Sequence, residues 1–235
     1  MTILSIETST TVCSAAICKD GSLIKQCINY EGSNHARLLP LYIEELLAYV
    51  REHGLTIEAV ALSEGPGSYT GLRIGTATAK GLCYGLNVPL IPVPTLEVLC
   101  QAARKRLAIS DERLAVFIPM IDARRMEVYT SVMVNGEWMN GEGAKAVVVE
   151  NEESFIANSQ KLTADSPVYY FGDGAEKCSK IFMKSNWHYV PDIVPEAQFV
   201  GALAQTMPKV TDIAYYEPFY LKEFIAAQSH VKGLR

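Results

Sequence analysis

The chain has 235 residues, enough for one large domain or two small ones around a substantial core. A hydrophobic content of 49% and a charged content of 20% are those of an ordinary globular protein and exclude a disordered one. The net charge of −5 and pI near 5.5 exclude a self-sufficient nucleic-acid binder, which needs a basic stripe to displace counterions, but leave room for RNA contact inside a complex.

The first elements read as strands. ILSIE (residues 3–7) alternates apolar and polar side chains, and TVCSAAIC (11–18) and SLIKQCIN (22–29) flank the turn KDG, a hairpin signal. SNHARLLPLYIEELLAYVREHG predicts a helix with Ser33 or Asn34 as cap and Gly54 as stop. Its apolar stripe of Leu38, Leu39, Tyr42, Ile43, Leu46, Leu47 and Val50 is wider than a surface helix needs, which fits a core face or a face shared with an interface. EAVALSEG is a short buried strand, SEGPGSYTGLRIG (63–75) opens a helix reaching Leu86, VPLIPVP is a strand and 95–106 a further helix.

RKRLAISDERLA (104–115) reads as a linker, with the basic run Arg104, Lys105, Arg106 fitting a solvated helix end or an RNA contact. The order then repeats in part. VFIPMIDA (116–123) and MEVYTSVMV (126–134) pair across DARR, and AKAVVVE is the third strand. NEESFIANS is a short helix capped by Asn151, PVYYFGDG a strand entering a turn, and 175–184 and 195–207 are helices. The tail YYEPFYLKEF is aromatic and extended, with Pro218 barring a helix. Two successive βββαβα units predict an α/β protein of two duplicated subdomains, 1–107 and 108–235. That order is the one found in the actin-like (ASKHA) ATPases, sugar kinases and Hsp70-type proteins.

The glycine-rich turn GPGSYTG leaves N–H groups at the positive end of a helix dipole, so Ser68, Tyr69, Thr70 and Gly71 are candidates for holding an anion or nucleotide. It is no P-loop: G-x-x-x-x-G-K-[ST] is absent and Lys80 lies ten residues past Thr70, so a plain strand-to-helix turn is the rival reading. Gly71, Gly75 and Ala79 are four apart, as are Gly81 and Gly85, which makes a flat ridge. Each helical glycine costs ~1 kcal/mol relative to alanine, so a close approach must compensate, within the chain or against another. IETST carries Glu7 where actin-like proteins grip phosphate, without the glycine that lets backbone approach it; IDARR carries Asp122, and FGDGA resembles an adenosine-side glycine turn. His35, His53, His188 and His230 are isolated, no G-x-S-x-G elbow occurs, and the pairs Glu44/Glu45 and Glu152/Glu153 read as solvated faces. The six cysteines form no C-x-x-C pair, and neither a signal peptide nor a run of ~20 apolar residues is found, which predicts a cytoplasmic protein with reduced, buried thiols and no membrane contact.

In this order ILSIETST with CSAAI, HARLLPLYIEELL, SEGPGSYTGLRIGTATAKGL, IPVPTLEVL, IDARRMEVY and FGDGA resemble the TsaB (YeaZ) family, most densely over 63–99, and PFYLK is similar to the family's C-terminal P-x-Y-L-R. The resemblance implies an actin-like fold and a non-catalytic dimerization subunit of the bacterial tRNA threonylcarbamoyladenosine machinery. It implies as partners the paralogous catalytic subunit TsaD and the ATPase TsaE, with tRNA met only through the complex and a homodimer when isolated. In the family the first two helices make the subunit contact as half of a four-helix bundle. On this chain that face would be Leu38, Leu39, Tyr42 and Leu46, with Gly71, Leu72, Gly75, Ala79 and Tyr84, so Gly75→Arg should weaken association. TsaD reads N-H-L-E-x-H where this chain reads PTLEVL, so Thr95 and Leu99 stand in the place of two metal histidines, and neither a metal nor a catalytic residue is expected. No tightly bound cofactor is implied, with ATP or ADP allowed at the interface with TsaD. The rival readings are a stand-alone actin-like ATP-binding protein, or a glycoprotease-type enzyme, against which the missing zinc pair and nucleophile–histidine motif argue.

Overall fold

A computed structural model describes residues 1–32, 34–108, 115–139, 143–152, 155 and 166–222. The first sheet is built from β1 (Thr2–Glu7), β2 (Cys13–Lys19), β3 (Ser22–Asn29), β4 (Ala59–Gly65) and β5 (Leu90–Pro94), in the order β3-β2-β1-β4-β5. The first three are antiparallel and β4 and β5 join parallel to β1. Asp20 and Gly21, with φ of 49° and 81°, close the β2–β3 hairpin, as an Asp-Gly pair does cheaply. Parallel strands need crossovers, and α1 (His35–Glu52) leads into β4 while α2 (Tyr69–Leu86) joins β4 to β5; α3 (Thr95–Leu107) then leads from β5 to the second sheet.

Side chains of β1 alternate between two cores. Leu4 and Ile6 pack with Ile17, Leu39, Leu46, Leu62, Ala79 and Leu90 beneath α1 and α2. Ile3 packs with Ala61, Val93, Leu96, Leu99, Phe117 and Phe199 on the opposite face. That second layer is completed from far along the sequence by α4 (Ala197–Leu203), where Ser5 Oγ donates to Ala197 O at 2.7 Å and Ala197 N donates to Ser14 Oγ at 2.9 Å. Gly201 gives α4 its closeness to β2, since a Cβ there would lie 2.5 Å from Cys18 Sγ. All six cysteines are free and buried.

The second sheet repeats the first. It contains β6 (Val116–Asp122), β7 (Glu127–Thr130), β8 (Met133–Val134), β9 (Glu137–Trp138), β10 (Lys145–Val148), β11 (Val168–Phe171) and β12 (Trp187–Val190). The main path runs β10-β7-β6-β11-β12, the same order and the same mixture of antiparallel and parallel pairs as the first sheet. This is the duplicated α/β, actin-like arrangement that the element order predicts.

Several local expectations are corrected. Residues 126–134 form two strands rather than one. Both keep a single register against β6, with Thr130 opposite Met120 and Met133 opposite Phe117, and the break falls opposite Pro119, which has no N–H to give. β12 was not expected. The helix expected over 175–184 is a three-residue 3-10 turn, Glu176–Cys178, followed by further turns that carry Phe182 against Tyr170 and Trp187, 5.2 and 4.8 Å between ring centroids. The one expected over 195–207 is shortened to α4. Arg104–Arg106 belong to the last turn of α3, so the expected linker starts later, and its residues 109–114 lie outside the described residues. The helix expected at 151–159 lies outside them too, apart from Asn151, Glu152 and Phe155, as does Ser33. Asn34 occupies the cap position of α1 without a side-chain cap bond.

Candidate functional site

Ser68 caps α2, its Oγ accepting from Gly71 N at 3.3 Å, while its own N–H donates to Ser9 O at 2.7 Å. The helix therefore starts pressed on the loop that follows β1. A Cβ on Gly71 would collide with the Thr8 carbonyl oxygen, and one on Gly75 with Thr8 Oγ1. Thr8 Oγ1 closes the contact by donating to Gly71 O at 2.8 Å. The close approach that these glycines allow is thus made inside the chain.

This corrects most of the face expected to bind a partner. Gly71 and Gly75 are buried against Thr8 of the loop that follows β1, Leu72 and Ala79 are buried as well, and Leu39 and Leu46 are fully buried in the core beneath α1. Leu38 and Tyr42 are half-buried and pack against the same core. Tyr84 alone of the expected set is free, at 92% exposed. The reason is rotational: at about 100° per residue, Gly81 turns about 80° away from Gly71 and Tyr84 about 140°. Two small-residue stripes lie on different faces. Gly81 and Gly85 have no atom within 4 Å of an added Cβ. With the exposed Ala77 and Tyr84 they form the outward stripe of α2. Beside it, α1 exposes Leu41 at 55%, and Pro40, Ile43, Glu44, Leu47, Arg51 and Thr78 line a groove of about 490 Å³ between the helices. Leu41 is not singled out by the sequence; Gly81 and Gly85 are, as small residues of the α2 ridge, but not as part of the partner face, although their helical phase carries that signal.

The expected anion site is largely engaged with its own chain. Ser68 caps Gly71, Gly71 is pinned to Thr8, and Tyr69 packs on Tyr220 with ring centroids 5.0 Å apart; Thr70 is exposed. The neighbouring loop is bonded internally as well. Glu7 is fully buried, with Ser9 N and Ser9 Oγ both donating to Oε1 at 2.5 Å and Ser63 Oγ donating to Oε2. Burial outweighs these bonds and pushes the Glu7 carboxyl above its ordinary value of 4.5. The folded protein then binds more protons than the unfolded chain above that value, so this group costs stability as pH rises. The stability advantage of wild type over Glu7→Gln is accordingly expected to shrink between pH 4.5 and 8 in urea titrations; a difference that grows over that range would contradict it. In the second half, Gly172 and Gly174 press on the backbone of Met120 and Ile121, Asp122 N donates to Asp173 Oδ1 at 3.0 Å, and Lys177 pairs with Asp122.

Thr95 and Leu99 are buried at the start of α3: Thr95 Oγ1 accepts from Gly65 N at 3.1 Å and Leu99 joins the core. His35 is buried, its Nε2 lying 2.8 Å from Thr10 O. Among the described residues no cluster of His, Cys, Asp and Glu could hold a metal ion, and no helix is long and apolar enough to cross a membrane.

The sequence model of TsaD, tRNA N6-adenosine threonylcarbamoyltransferase, matches residues 29–223. Over 235 aligned residues the chain is 35% identical to the Escherichia coli tRNA threonylcarbamoyladenosine biosynthesis protein TsaB, covering 96% of each. The chain belongs to the TsaB family. Bacillus subtilis TsaB is 29% identical over 98% of this chain and 91% of its own length. In fold, the chain is similar to YeaZ from Pseudomonas aeruginosa, with a TM-score of 0.70 at 24% identity over 94% of this chain and 99% of that one. The part of this chain matched by the TsaD model thus includes α1, α2, the Thr95–Leu99 segment and the described second sheet.

Proposed function

We propose that this chain is the non-catalytic subunit of the complex that transfers a threonylcarbamoyl group to the anticodon-adjacent adenosine of tRNA, and that it docks on TsaD through the outward face of α1 and α2. The observation that carries this reading is Tyr84, 92% exposed between two glycines that meet nothing else among the described residues. A large exposed ring flanked by small residues, next to an apolar groove, is suited to packing against helices of another chain. The same face would serve a homodimer when TsaD is absent. TsaE and tRNA would be met in the assembled complex, in the cytoplasm.

Two features support a non-catalytic role. The positions matched to TsaD's metal histidines hold Thr95 and Leu99, both engaged in the fold. The loop after β1, which grips phosphate in actin-like enzymes, has Glu7 bonded to Ser9 and Ser63 and its backbone packed on α2. On this reading the chain alone holds no nucleotide tightly, and ATP or ADP would sit at the junction with TsaD.

Gly81→Ala tests the docking face. Alanine should stabilise the isolated chain by about 0.5–1 kcal/mol because it favours the helix and meets open space. The same methyl group should hold the partner helix away and weaken TsaD binding about tenfold, about 1.4 kcal/mol. Calorimetric titration of TsaD, with and without ATP, reads the affinity. A more stable variant that binds TsaD as tightly as wild type would overturn the assignment of this face.

A further inference from the structure

Aromatic rings of α2 and of the tail meet beside a cation of α2, and an ion pair ties the tail to the second sheet close in sequence to two further arginines. Arg73 of α2 lies 5.5 Å over the Tyr69 ring and donates from Nη1 to the Tyr69 hydroxyl at 3.2 Å. Tyr69 meets Tyr220 of the tail at 5.0 Å between centroids. The tail is held along α2 by Lys80, whose Nζ donates to Ala214 O at 2.7 Å and Tyr216 O at 3.0 Å, and by Phe219 N, which donates to Glu64 O at 2.8 Å. Two residues beyond Tyr220, Lys222 pairs with Glu127 of β7, and two residues before Glu127 stands the β6–β7 turn with Arg124 and Arg125.

The arc is locally basic in a chain of net charge −5. Of the carboxylates around it, Glu127 is paired with Lys222 and Asp122 with Lys177, while Glu64 and Glu217 have no ion pair among the described residues. Glu217 is the acidic residue of the described tail. The exposed guanidinium groups of Arg124 and Arg125 have no ion pair among the described residues. Phe219 and Tyr220 keep 44% and 36% of their surface in solvent. Arg124 and Arg125 also hold φ of 70° and 52° in succession, a left-handed conformation that disfavours L-residues and that glycine or asparagine takes at lower cost. A turn selected for stability alone would not place two arginines there.

We propose that this arc of Arg73, Tyr69, Tyr220, Arg124 and Arg125 binds a single-stranded stretch of the tRNA substrate within the complex. The cations would meet phosphates, and the exposed rings would lie under bases. An acidic peptide would use the charges and leave the rings idle, which favours RNA. The inference rests on the reading of the chain as a subunit of the tRNA-modifying complex.

The test is fluorescence anisotropy of a labelled, unmodified tRNA transcript titrated with the complex of TsaD and the full chain, over a range of salt. The variant is Arg124→Asn/Arg125→Gly, which removes both charges and relieves the turn. It should melt at or above the wild-type temperature, assemble normally with TsaD, bind tRNA about tenfold more weakly, and show a salt slope shallower by about 1.4. Tyr220→Ala should weaken binding with the slope unchanged. Variants that assemble and bind tRNA with wild-type affinity and slope overturn the arc alone. Variants that lose TsaD instead make it a protein contact and overturn it as well. A wild-type chain that fails to assemble with TsaD overturns the functional reading and this inference together.

Discussion

Gly71→Ala is expected to destabilise the fold by about 3 kcal/mol, and Gly75→Arg to leave no folded chain at all. A methyl group at Gly71 meets a backbone oxygen, that of Thr8, which cannot swing aside as the end of a flexible side chain can. His35 Cδ2, 3.3 Å from the same point, blocks the other way out. At Gly75 an arginine must pass Thr8 Oγ1 with Ile6 Cγ2 at 3.8 Å, inside the core under β1, where its charge has no solvent. Urea melts of the purified variants read both. Read from sequence, Gly75→Arg weakens association; the structure makes it a folding variant. A folded Gly75→Arg protein of wild-type stability would mean that α2 is rotated from the position described.

Tyr84→Ala is expected to do the opposite. With 92% of its surface exposed, the ring contributes little to the fold, so stability should stay within about 0.5 kcal/mol of wild type. Its loss should weaken TsaD binding by about 2 kcal/mol or more, some 30-fold, because exposed aromatic anchors dominate protein interfaces. Leu41→Ala, on the neighbouring face of α1, should show the same pattern with a smaller loss. A Tyr84→Ala chain that melts early would place the ring in the fold after all.

The scaffold was legible because its signals are local. KDG signals the β2–β3 hairpin, and alternation in β1 signals the first strand of the sheet. Glycine-rich entry and helical spacing announced α2. What failed depended on distant contacts. Nothing near residues 197–203 says that they will lie on β1 and β2, nor near 175–184 that Phe182 will be drawn into an aromatic cluster that shortens the helix to a turn. The site failed for a different reason. Spacing groups Gly71, Gly75, Ala79 and Tyr84 as one ridge, whereas helical phase puts Gly71 and Gly75 against Thr8, buries Ala79 and sends Tyr84 outward. Sequence shows that a helix has small faces; only the position of β1 shows which of them is already occupied.

In the proposed arrangement the outward face of α2 docks on the catalytic subunit while the inward glycines serve the fold. Titration calorimetry of TsaD against wild type, Tyr84→Ala and Gly81→Ala, each first checked for its urea midpoint, tests it most directly. Both variants are expected to fold and to bind TsaD about 30-fold and about tenfold more weakly. Wild-type affinity in both variants at wild-type stability would contradict it.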